Sequence, residues 1–122
     1  MDGVAGLRRS KAMLASNAEA RREAVFGALA DRTRSLVLKE VAARGRATAT
    51  QVAADLPVTR QAVIKHLRIL DQAGLVTSSR DGKEVLYEVQ LQELRTTARW
   101  LDQVANQWEQ RLARLKAMAE RR

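Results

Sequence analysis

A mainly α-helical fold closed by one small β-hairpin, α+β in class, is what this sequence predicts. Three observations predict it. Proline occurs once and aromatics make up only 3%, while Ala, Leu, Arg, Glu and Gln abound, a mixture that favours helices. Apolar residues recur at spacings of three and four through most of the chain. Late in the chain, Asp81-Gly82 separates two stretches of alternating residues, the strongest short hairpin signal. The 122 residues suit one domain with a modest core.

Taken in order, residues 1–17 contain Gly3, Gly6 and a small cluster of Arg8, Arg9 and Lys11 without a sustained apolar stripe. They are expected to form a mobile arm. Glu19 to Ala30 suits a first helix whose apolar face is Val25, Phe26 and Leu29. Asp31 is a good N-cap for a second helix, because its carboxylate accepts from N–H groups two and three residues on. That helix runs to about Arg44 with Leu36, Val37, Leu38 and Val41 on its apolar side, and Gly45 stops it. Phe26 with these aliphatics is read as core.

Thr48 or Thr50 caps a short third helix with Val52, Ala53 and Leu56 facing inward. Pro57 ends it, lacking an N–H and disfavouring helical geometry in the residue before it. Thr59 caps a fourth helix in which Val63, Leu67 and Leu70 recur on the buried face. Gly74 supplies a left-handed C-terminal cap, and Leu75-Val76 returns to the core. Val76–Arg80 and Lys83–Val89 are strand candidates, with Val85, Tyr87 and Val89 on one face. Leu91 to about Ala119 reads as one long helix. Its stripe is Leu101, Val104, Trp108, Leu112 and Leu115, with Trp100 and Met118 beside it.

Short helix, tight turn, longer helix and basic hairpin, in that order, make a helix-turn-helix with a wing. Such a fold offers the N-terminal side chains of its second helix to the major groove of duplex DNA. The outward positions there are Arg60, Gln61, Ile64 and Lys65. Arg60 and Lys65 can donate to guanine or phosphate, Gln61 can pair bidentately with adenine, and Ile64 can meet a thymine methyl. Thr59 can cap the helix and touch a phosphate with the same hydroxyl. Arg80 and Lys83 flank the wing turn, where they can enter the minor groove or grip the backbone. His66, the only histidine, either hydrogen-bonds within the fold or contacts a phosphate or base. The net charge of +8 agrees with a polyanionic partner. The N-terminal arm is then either a plain tail or a segment contacting DNA or a partner.

Other chemistry is poorly supplied. With no cysteine there is no disulfide, thiolate metal site or cysteine nucleophile. One histidine makes no zinc site. No glycine-rich phosphate loop, nucleophile motif or paired carboxylates point to an enzyme, so neither catalytic residues nor a cofactor are expected. There is no apolar run of about 20 residues to span a membrane and no secretory signal, so a cytoplasmic protein is expected.

Three stretches resemble the ArsR/SmtB family of bacterial winged-helix repressors. Phe26-Gly-Ala-Leu-Ala-Asp31-Arg-Thr-Arg34 resembles the family's opening motif, with Arg32 where a proline often stands. His66-Leu67-Arg-Ile-Leu70-Asp-Gln-Ala-Gly74-Leu-Val76 resembles its histidine-leucine to alanine-glycine-leucine signature, and Arg80–Tyr87 sits where the family has its wing. The tail from Trp100 to Leu112 is similar to a non-metal, autorepressor-like branch, whose members are often encoded beside a lipid-binding START-like protein. The family's metal sites need cysteines in the third helix or histidines with carboxylates in the last. Here Arg46-Ala-Thr-Ala-Thr-Gln-Val52 and a last helix without histidine supply neither, and Asp102 alone is no site. The resemblance implies a homodimer through the first and last helices, with Phe26, Trp100, Leu101, Val104, Trp108, Leu112 and Leu115 at the seam. The long stripe independently asks for a partner helix, since each exposed tryptophan carries about 150–250 Å² of mostly apolar surface.

The expected organisation is therefore an arm over residues 1–17, a DNA-binding domain over 18–90 and a dimerisation helix over 91–122. The expected function is a dimeric repressor on an inverted-repeat operator, its own promoter being one candidate, with double-stranded DNA as partner. A small-molecule effector is left unidentified. The competing reading is a winged-helix module that binds an acidic protein partner, or that binds DNA without sequence preference in a nucleoid-architectural role.

Overall fold

The computed structural model of the protein describes residues 17–121; the arm expected before them lies outside the described residues, except that Asn17 already belongs to the first helix. Five helices and three short strands follow: α1 (17–29), α2 (Arg32–Arg44), β1 (Arg46–Ala47), α3 (Ala49–Ala54), α4 (Arg60–Gln72), β2 (Val76–Asp81), β3 (Glu84–Val89) and α5 (Gln92–Glu120).

Each junction is set by local chemistry. Asp31 caps α2 by accepting from the Arg34 N–H at 2.9 Å. That bond, first among the causes, holds the Asp31 carboxyl below its usual range. Gly45, at φ 78°, ends the helix. Thr48, not Thr50, caps α3. Its hydroxyl accepts from the Gln51 N–H while the Gln51 side chain accepts from the Thr48 N–H, a reciprocal capping box. The α4 terminus closes as a Schellman motif, with Gly74 N–H donating to Asp71 O and Leu75 N–H to Leu70 O, each at 2.9 Å. Gly74 takes φ 76° there, the left-handed geometry the motif requires.

The core is aliphatic. Val37 and Val41 of α2, Val52 of α3, Val63, Leu67 and Leu70 of α4, and Leu75-Val76 are all fully buried. Val25 and Ala28 carry α1 into the same cluster. Two residues expected on inward faces are not there. Phe26 is 40% exposed, because Val25 and Ala28 occupy the inward line of α1 and turn Phe26 toward α5. Leu36 is exposed as well, because Val37, Leu38 and Val41 hold the buried side of α2.

The sheet has the order β1-β3-β2, all antiparallel. The strand β1 was not anticipated. Two residues show no periodicity, yet Arg46 and Ala47 pair with Glu88 and Tyr87 and so cover the second edge of β3. The hairpin turn also differs from expectation. Asp81 pairs with Glu84 inside the ladder, so the loop is Gly82-Lys83. Only Gly82 has positive φ, 64°, which matches a type II′ turn with glycine first. A two-residue turn at Asp81-Gly82 would need positive φ at Asp81 as well, which an L-residue adopts at a cost that a Gly-X turn avoids.

α5 is 29 residues long. Its first half leans on the domain, with Thr97 buried and Trp100 and Val104 half-buried. Trp100 receives Phe26 at a ring-centroid separation of 6.1 Å and Arg22 at 4.4 Å. From residue 105 to 121 every position is exposed. Among the described residues no helix is long and apolar enough to cross a membrane.

Candidate nucleic-acid interface

The outer surface of α4 divides into a ridge and a flank. An α-helix advances about 100° per residue, so Gln61, Lys65 and Arg68 share one line, opposite the buried line of Val63, Leu67 and Leu70. Together with Thr59, Ala62 and Ile64 those three polar residues border one shallow concavity. Arg60 lies off that line, on the side facing α3 and the wing. It borders a different cleft, of about 480 Å³, with Thr50, Lys83 and Tyr87. The four outward positions read from the sequence thus do not form one face. Gln61 and Lys65 stand on the ridge, Arg60 stands on the flank, and Ile64 lies between and borders both concavities.

Ile64 is not an exposed residue looking for a partner. It is half-buried and packs against the core, so burial accounts for an isoleucine there. Only its outer edge remains for a thymine methyl. Thr59 caps α4, its hydroxyl accepting from the Ala62 N–H at 3.1 Å. His66 faces away from the ridge. It is half-buried, and among the described residues its enclosed Nδ1 has no hydrogen-bond partner.

On the wing, Lys83 occupies the turn itself and reaches the flank cleft. Arg80 lies within β2, opposite Val85, with its side chain exposed. Sequence reading missed Arg68, exposed on the ridge. Its spacing of three from Lys65 and seven from Gln61 was the available signal. It also missed Thr50, whose hydroxyl accepts from Arg60 Nε at 3.1 Å. Nothing in the sequence announced that contact, which forms only because α3 and α4 are packed together.

Among the described residues, no group of three or more His, Cys, Asp or Glu side chains is placed to hold a metal ion. The expected seam residues fall in two groups. Phe26 and Trp100 meet where α1 reaches α5, and Val104 is half-buried, while Leu101, Trp108, Leu112 and Leu115 stand exposed.

Comparison with known proteins agrees with this geometry. The profile of a family described as "Helix-turn-helix domain" matches residues 29–79. The chain is 46% identical over 68 residues to the uncharacterized HTH-type transcriptional regulator YuzN of Bacillus subtilis (strain 168), covering 51% of this chain and 74% of that protein. A solved ArsR-like transcriptional regulator from Rhodococcus sp. RHA1 superposes with a TM-score of 0.77 at 42% identity, covering 83% of this chain and 94% of that one. The chain belongs to the ArsR-like family of winged helix-turn-helix transcriptional regulators. As a member it is a DNA-binding regulator and not an enzyme. The regulator also shares 39% identity over 62 residues with the HTH-type transcriptional regulator Rv2034 of Mycobacterium tuberculosis (strain ATCC 25618 / H37Rv), covering 51% of this chain and 57% of that protein.

Proposed function

We propose that this regulator is a homodimeric repressor that reads an inverted-repeat operator through the ridge of α4, within the non-metal, autorepressor-like branch of its family. The observation that carries the reading is the ridge itself. Gln61, Lys65 and Arg68 are exposed in line on a helix whose opposite face is sealed into the core, and Lys83 stands on the wing, across the flank cleft from Arg60. A helix so presented fits the major groove, with amide and cationic ends for base edges and the wing for the backbone. A two-fold axis through paired α1 and α5 elements would set two such helices about 34 Å apart, one turn of DNA, on the two halves of an inverted repeat. Occupying that site excludes polymerase.

The chain's lack of cysteine and its single histidine support the non-metal assignment. The releasing signal is then something other than a thiolate-bound or imidazole-bound metal. A small molecule held between paired α5 helices near Trp100 and Trp108 fits the same reading. The ridge, rather than general basicity, is what separates sequence-specific repression from an architectural role.

The test is an anisotropy titration against the regulator's own upstream duplex, with shuffled competitor at two salt concentrations. Tight binding that resists the competitor is expected, and Lys65→Ala and Arg68→Ala should each weaken it by about 1–3 kcal/mol per lost base contact. Equal loss of binding to operator and shuffled competitor would return the protein to the architectural reading. Operator affinity unchanged in both variants would remove the ridge from the interface.

A further inference from the structure

We infer that Arg60 is a phosphate clamp held in place by Thr50, a positioning residue on α3, and that it does not read bases. The inference rests on the DNA-binding mode proposed above and assigns separate work to the two sides of α4.

Arg60 and Arg44 show what is distinctive. Arg44 is paired with carboxylates on two sides, Glu40 at 3.0 Å and Asp55, and so ties the end of α2 to the end of α3 with its charge compensated at the surface. Arg60 is held by a single hydrogen bond to a neutral acceptor, its Nε donating to Thr50 Oγ1 at 3.1 Å. Among the described residues it forms no ion pair, although Glu84 borders the same cleft. The hydroxyl therefore orients the guanidinium without neutralising it. Arginine long enough to wander over the helix surface is instead fixed at its root, with the N–H groups of Nη1 and Nη2 left to donate.

The direction of that fix decides the target. Arg60 is drawn toward α3 and the wing turn, into the cleft shared with Lys83, and away from the line of Gln61, Lys65 and Arg68. With the ridge in the major groove, the side of a recognition helix that faces the wing looks onto the strand bordering that groove. Two cations across one cleft, neither in an ion pair among the described residues and outnumbering the one carboxylate there, Glu84, suit a backbone phosphate, whose oxygens accept from a guanidinium fork and an ammonium together. The contact is read as affinity and register, without base information.

Thr50 is free to do this because it is not needed elsewhere. Thr48 holds the α3 cap, and Thr50 is exposed. Replacing its hydroxyl removes the anchor of Arg60 and leaves the helix intact. Thr50→Val should melt at the wild-type temperature.

The experiment measures anisotropy for the full chain and for Thr50→Val, Thr50→Ser, Arg60→Ala and Lys65→Ala across a salt series. Two duplexes are used: the one the wild-type chain enriches from a random-sequence pool, and a shuffled version of it. Thr50→Val should weaken binding to both by the same factor, about threefold, and Thr50→Ser should restore it. Arg60→Ala should weaken both on the order of tenfold and lower the slope of log K against log salt by about 0.9, one phosphate contact. Lys65→Ala should fall mainly on the enriched duplex. Arg60→Ala that erodes the preference while leaving shuffled binding intact would make Arg60 a base reader and overturn the inference. Thr50→Val indistinguishable from wild type on both duplexes would remove Thr50 from its role. A wild-type chain that enriches no sequence would instead overturn the repressor reading. The clamp would still be tested on the shuffled duplex.

Discussion

In α4, Val63, Leu67 and Leu70 recur at spacings of four and three, and all three are fully buried. In α5, Trp108, Leu112 and Leu115 recur at the same spacings, and they are 56%, 59% and 56% exposed. The two stripes are alike as sequence and opposite in outcome. The difference lies in what the chain offers to cover them. α4 lies against α2 and α3, with β2 beside it. The distal half of α5 runs past the end of the domain, and every residue from 105 to 121 is exposed. Periodicity therefore states which residues share a face, not whether the chain itself covers it. A stripe containing Trp108 and Met118 left in water would forgo a large share of the apolar burial that stabilises a domain of this size. A second copy of α5 is the cover that the dimer reading supplies.

The largest effect expected from breaking this contrast is on assembly. Trp108→Asp combined with Leu112→Asp should abolish self-association, by about 4–8 kcal/mol if both side chains act as interface anchors. Light scattering on the eluting protein checks it. Far-UV circular dichroism should keep the helical signal of the domain, since neither residue touches its core.

Leu67→Ala sharpens the other half of the contrast. It should lower unfolding free energy by about 2–5 kcal/mol, measured by denaturant titration, because Leu67 is fully enclosed. Gly74→Val comes next, at about 2 kcal/mol, because a β-branched residue must adopt φ near 76°. The Cβ would also meet Glu93 Cγ at 3.0 Å, although that flexible side chain can move.

The smallest effect is electrostatic. Asp55 is held below the ordinary carboxylate range, first by its hydrogen bond from Arg44, and Asp31 by the Arg34 N–H. A depressed folded pKa contributes stability above the unfolded value of about 3.9 and loses it as pH falls through the folded one. The denaturation midpoint should stay flat from neutrality to about pH 5 and then decline. Asp55→Asn should flatten part of that decline. Both carboxylates are solvent-facing, so the change is expected to be modest.

Much of the fold could be read from residues because its signals were local. Asp31, Thr59 and Gly74 each announce a helix end through their own chemistry, and each does what that chemistry predicts. What could not be read depends on neighbours distant in sequence. β1 exists because β3 has a second edge to pair, not because Arg46-Ala47 is strand-like. Phe26 sits at the α1–α5 junction because Val25 and Ala28 are slightly better placed to face inward. The proposed interface divides in the same way. Gln61 and Lys65 were legible from helical geometry alone, and Arg68 lay within reach of the same geometry. The assignment of Arg60 to the flank required knowing that Thr50 lies 3.1 Å from its Nε. The side of a residue follows from periodicity, but its partner follows only from packing.

Sedimentation equilibrium of the full chain over a micromolar concentration range tests most directly whether the bare stripe of α5 is half of a seam. A mass near twice the 13.6 kDa of one chain is predicted, falling toward one chain only on extreme dilution. A mass of 13.6 kDa at every concentration would contradict the account, leaving Trp108, Leu112 and Leu115 exposed without a second copy of the chain to cover them.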